Sequence, residues 1–295
     1  MFCRRCDTLR DAGFLYKVLS GSIVNSGTIT PVGGKHAIEV MAIGVEWATP
    51  MDSNGLQGLQ AAYEETATVK EFLPSLTPVQ AFALNIGAPG NFVAENRSGG
   101  FDLRRFDPSG AVLWAVSVRP ELIACNCIAY DRWATVKPKA MALLDPFLSV
   151  ALAAGNQIKA VGLQYQDAFR VSDEVGSPAL KTLFRQNSNW IPAHLLNESS
   201  LWHSHQGWFA STSDGHRTLN NVNLDVLEQD AKLLVRIHGQ HRVFAVTQDG
   251  KSPYPIAMQD IEGILDVLHQ QNKAVLRGIL AEDVLARIGF ESEQK

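Results

Sequence analysis

The residues best suited to chemistry are His203 and His205, which flank Ser204 in a run that reads as a β-strand. Successive strand side chains point to opposite faces, so a His-x-His pair presents both imidazoles on one face, where they can share a divalent metal. His216, His238, His241 and Asp225 offer third ligands from the same part of the chain. A cupin-like site would want a glutamate soon after the pair, and the stretch from Gly207 to Gly215 supplies only Asp214. A motif without its context carries little weight. Trp202 and Trp208 bracket the histidines and, with Trp190, Tyr165 and Phe209, concentrate aromatic area in the second half of the sequence. Large rigid rings make contact surface when exposed and core when covered. His203, His205, Trp202 and Trp208 are therefore the expected binding residues, with no catalytic group and no metal assigned.

Other constellations lack the geometry that their chemistry needs. Cys3-Arg4-Arg5-Cys6 and Cys125-Asn126-Cys127 together hold four thiols, but Cys-x-Cys is not the usual zinc spacing and the first pair lies in a leader without apolar periodicity. They read as buried or incidental thiols. Pro31-Val32-Gly33-Gly34-Lys35-His36 is glycine-rich, yet it lacks the Gly-x-x-x-x-Gly-Lys-Ser/Thr spacing and precedes a strand rather than a helix. Nucleophile-elbow, zinc-protease and kinase signatures are missing as well. His269 falls on the apolar stripe of the last helix and reads as a satisfied core or interface histidine. No cofactor is expected.

Composition narrows the partners. The 26 basic and 30 acidic residues nearly cancel, so no global field recruits nucleic acid or an anionic membrane. Some 46% of the residues are apolar, ample for a packed core without metal or disulfide staples. No stretch approaches the roughly 20 apolar residues that span a bilayer, and Met1 to Leu9 is charged where a signal peptide would be greasy. A cytoplasmic protein is expected, and four cysteines suit a reducing compartment.

The elements that would position these residues follow from pattern. Residues 1–34, with a Gly/Ser/Thr-rich run, read as a poorly ordered N-terminal arm. Ala37–Trp47 is β-like, and Asp52 or Ser53 can cap a helix running to about Ala67. Four β-like runs follow (79–86, 101–106, 112–118, 122–128), with Gly87–Gly90, Gly99-Gly100, Asp107–Gly110 and Arg119-Pro120 read as turns. A helix over 130–153 carries Pro138 and Pro146, which are expected to break or kink it, and Gly155 stops it. The order then restarts: a strand at 158–171, helix over 178–197, strands near 201–211, 219–227, 232–237 and 243–247, and a closing helix from Met258 to about Ile288. These elements predict an α+β fold of two similar halves, 35–155 and 156–295, each a mostly antiparallel sheet packed by helices.

Three stretches carry a resemblance to a family. They are Tyr130-x-x-Trp133, the strand Val161-Gly162-Leu163-Gln164-Tyr165-Gln166-Asp167, and the last helix with Leu268-His269 and Ile279-Leu280. In these the chain resembles a sporadically distributed family of uncharacterised bacterial, archaeal and phage proteins, with Gln164 where that family usually has Arg. The resemblance implies a two-half α+β fold and a role in phage–host conflict or a mobile element, without specifying chemistry. Taken with the residues, the expectation is a non-enzymatic binding or assembly component that engages another protein or a second copy of itself. The alternatives are a metal-dependent hydrolase or nuclease built on His203 and His205, and a nucleic-acid-binding module using an open sheet face.

Overall fold

A computed structural model of the chain describes residues 29–86, 92–171, 179–197, 201–230 and 232–290. Strands β1 (Ile29–Pro31) and β2 (Ile38–Trp47) lead into helices α1 (Ser53–Glu65) and α2 (Ala67–Phe72). The strands β3 (Ser75–Ile86), β4 (Phe92–Phe106), β5 (Val112–Val118) and β6 (Leu122–Cys127) meander back to the long helix α3 (Trp133–Ala153). Then β7 (Ile158–Val171), the short helices α4 (Ala179–Leu183) and α5 (Ala193–Asn197), and strands β8 (Trp202–Ser211), β9 (His216–Gln229) and β10 (Lys232–Thr247) precede α6 (Ile261–Ile279) and α7 (Glu282–Arg287).

The strands join into one sheet in the order β3-β4-β5-β6-β2-β7-β10-β9-β8, with β1 also paired to β7. Each ladder is antiparallel. The fold is α+β, a large antiparallel sheet with helices on one face. Period-2 alternation explains why. On β2, Met41, Ile43, Val45 and Trp47 are buried while their neighbours are half-exposed, and β9 alternates in the same way from His216 to Val226. No helix among the described residues is long and apolar enough to cross a membrane.

Two hydrophobic cores lie beneath the helices. The first gathers α1, α3 and the N-terminal half of α6 over β2, β5, β6 and the start of β7. The second gathers α4, α7 and the C-terminal half of α6 over β9, β10 and the end of β7. On β7 the first core stops at Tyr165 and the second begins at Phe169, and on α6 they stop and start at Leu268 and Val275. Asp167, His269, Asn272 and Lys273 occupy the seam.

Several expectations are corrected. The end of the presumed arm is ordered: Ile29 is buried, β1 pairs with β7, and Val32 N–H donates to Ala168 O at 2.9 Å. Residues 1–28, with Cys3 and Cys6, and the Gly87–Gly90 turn lie outside the described residues. Gly99-Gly100 is not a turn but a bulge inside β4, where the register against β3 slips between Val79 and Gln80. The two runs at 232–237 and 243–247 are one strand, β10, because the polar residues between them continue the ladder. Helix α3 continues through both prolines, its apolar stripe from Val136 to Ala151 supplying the packing that outweighs the lost hydrogen bonds. Residues 179–197 form only two short helices, and the closing helix breaks at Leu280.

Candidate functional site: a polar cavity at the seam between two cores

Where the cores meet, a half-open cavity of about 420 Å³ lies between β7 and α6. Its floor is the helix-covered face of β7, from which Tyr165 and Asp167 project two residues apart. Its roof is α6, where His269, Asn272, Lys273 and Leu276 follow at the helical spacing of three and four. The segment Gly33–Ile38, the turn Tyr130–Arg132 ahead of α3, and Ile288–Phe290 complete the walls.

Most polar groups here are satisfied. Tyr165 Oη lies 2.9 Å from His269 Nδ1, and the His269 ring stacks on Trp133 with centroids 4.6 Å apart and planes 7° from parallel. Trp133 is fixed in turn, since its Nε1–H donates to Asp266 Oδ1 at 2.9 Å. Burial opposes ionisation of Asp266, but Lys137 at 2.8 Å and the Trp133 donor hold its carboxyl below the usual carboxylate range. His36 Nε2 sits 2.9 Å from Tyr130 O; a carbonyl only accepts, so that nitrogen carries the proton. Lys273 is buried, yet its Nζ donates to Phe290 O at 2.9 Å and lies 4.6 Å from the Phe290 ring centroid. Beside the cavity, His241 on β10 is wholly buried between Asn220, 2.8 Å from Nδ1, and Asn272, 3.2 Å from Nε2. Burial pushes its pKa down to about 4, although the amide oxygens of Asn220 and Asn272 both face the ring. Asn272 reaches this position because Gly239 leaves room: a Cβ there would lie 2.2 Å from Asn272 Oδ1.

His36 Nδ1 is buried without a hydrogen-bond partner among the described residues, and Asp167 is the charged exception. Asp167 is 3% exposed and lines the cavity, yet no hydrogen bond or neighbouring charge from the described residues acts on its carboxyl. Burial alone pushes its pKa up to about 7.

The residues singled out from the sequence lie elsewhere and do not share a surface. Alternation along β8 puts His203 and His205 on the exposed face, ring centroids 5.9 Å apart, and turns Trp202 and Trp208 to the helix-covered face. Trp202 belongs to the second core and tilts against Phe184, while Trp208 packs on Trp190 with centroids 5.0 Å apart. Cross-strand pairing sets Asp225 opposite His203, and Asn223 between His205 and His238. His216 and His241 point to the covered face. Among the described residues no group of three or more His, Cys, Asp or Glu side chains is arranged to hold a metal. Cys125 and Cys127 share a face, as expected, but it is the core face, and burial pushes the Cys127 thiol up to about 12. His269 is indeed a satisfied buried histidine, here within a cavity wall.

The cavity went unread, although two signals pointed to it. The apolar stripe of the last helix is interrupted by His269, Asn272 and Lys273, and the apolar alternation of β7 is interrupted by Tyr165 and Asp167. The stretches carrying the family resemblance also converge on it, contributing Tyr130, Tyr165, Asp167 and His269 to its walls, with Trp133 stacked behind His269.

Comparison with known proteins adds little. No protein-family profile matches the chain, and no curated protein matches it. Among solved structures, the di-domain ARO/CYC BexL from the BE-7585A biosynthetic pathway aligns over 87% of this chain and 98% of its own at 12% identity, with a TM-score of 0.18. A superposition that poor shows neither a shared fold nor a shared ligand.

Proposed function

We propose that this chain is a non-enzymatic binding protein whose ligand occupies the cavity between β7 and α6. The observation that carries the reading is Asp167, a buried carboxyl facing that space without a partner among the described residues. A carboxyl that faces a half-open cavity without a protein donor is a ready acceptor for a donor on a ligand. The volume of about 420 Å³ suits a small molecule. On this reading the halves 35–155 and 156–295 are related by duplication, and the ligand sits where their cores meet. The family resemblance supplies the setting we propose, a component of phage–host conflict or of a mobile element that passes ligand occupancy to another protein or to a second copy of itself.

The test is ligand-observed NMR of the full chain against a mixture of small fragments, repeated with Ile38→Trp. Ile38 is half-exposed, lines the cavity and pairs across the sheet with Asp167, so a larger ring there fills the space. Hits should bind the native chain and be lost in the variant. Hits that survive unchanged, or no hits at all, would remove the cavity reading.

A further inference from the structure

Building on the reading of the cavity as a ligand site, we propose that its ligand is a small organic cation, whose protonated amine pairs with Asp167 and whose apolar body lies against Ile38, Leu276 and Phe290. Of the three cations lining the cavity, Lys273 donates to Phe290 O and Arg132 Nη1 donates to Gly289 O at 3.3 Å, so both already serve the C-terminal wall, while Lys35 is exposed to solvent. Tyr165 and His269 serve each other. Asp167 is left as the buried charge-bearing group that nothing described compensates. A carboxylate withdrawn from water recovers part of that loss when an ammonium donates to it at close range, whereas an anion placed directly against Asp167 would be repelled. Tyr130, Tyr165 and Phe290 line the same space, and aromatic faces attract ammonium groups. A metal ion is a poorer match, because no group of three ligating side chains is arranged for one among the described residues.

Three probes of one shape and different charge test this: benzylamine, benzyl alcohol and benzoate, titrated into the full chain at about pH 8, where a benzylic amine is still protonated. Benzylamine should bind at least about tenfold tighter than the other two, and Asp167→Asn, nearly isosteric, should erase that preference while melting cooperatively. Equal binding of the three, preference for benzoate, or a preference that survives Asp167→Asn would each overturn the cation assignment. If the probes still bind and are lost in Ile38→Trp, the cavity reading stands without it. If neither the probes nor the fragment mixture binds, both fall.

Discussion

At the scale of single residues, Asp167 couples the cavity to stability through pH. Burial lifts its pKa from 3.8 to about 7, so the folded protein holds that proton more tightly than the unfolded chain does. The sign follows: nothing is lost below about pH 4, stability falls as pH rises from about 4 to about 7, and the loss is complete above that, amounting to about 4 kcal/mol. His241 works in the other direction, its pKa depressed to about 4, so that stability falls as pH drops below 6.5. Comparing native protein with Asp167→Asn isolates the first effect. In urea denaturation without ligand, the variant should gain a few kcal/mol over native between pH 4 and pH 8, and a constant difference across that range would show that Asp167 is not buried in this way. The sequence hid this residue for a physical reason. His203 and His205 announce themselves because two ligating types sit at strand spacing within one segment, whereas Asp167, His269 and Lys273 become neighbours only when β7 packs beneath α6. A lone acid in an apolar strand has no local partner to mark it.

At the scale of elements, the strands and long helices were legible because burial imposes a period that residues must obey, as Met41, Ile43 and Val45 do on β2 and Leu265 and Leu268 do on α6. What was misread is punctuation. Gly99-Gly100 looks like a turn, and His238-Gly239-Gln240-His241 looks like a break, because glycine and polar residues mark loops on average. In β4 the glycines serve a bulge: Gly100 has φ +102°, and a Cβ there would lie 1.9 Å from Val118 O. In β10 the glycine clears space for Asn272. Neither use is visible without the neighbouring strand or helix. The distinction is testable at Gly100 and Gly110, both at positive φ, where a Cβ on Gly110 meets nothing. Gly110→Ala should cost about 1 kcal/mol, the price of the backbone conformation alone. Gly100→Ala must also push two strands apart, so it should cost at least about 3 kcal/mol more, and similar values for the two in equilibrium unfolding would rule out the bulge.

For the whole molecule, local pattern carried the layering but not how distant strands are joined. The pairing of β2 with β7, Met41 opposite Tyr165 and Val45 opposite Val161, joins the strands before α3 to those after it in one sheet with its helices on one face. Pairings between such distant segments leave no mark on the sequence, since each strand is equally satisfied by any apolar-faced partner. The same joint accommodates β1. β1 continues the line of β2 along β7, Ile29 enters the second core, and Arg287 Nη1 of α7 donates to Ile29 O at 3.3 Å. A variant beginning at Ile29 keeps the β1 ladder and serves as the reference in chemical denaturation. One beginning at Lys35 loses the buried Ile29 side chain together with the β1 ladder, and should be less stable by about 3 kcal/mol. It should also bind cavity ligands more weakly, because Gly33 and Gly34 form part of the wall. If the shorter variant is as stable as the longer one, β1 does not hold the edge of the second core.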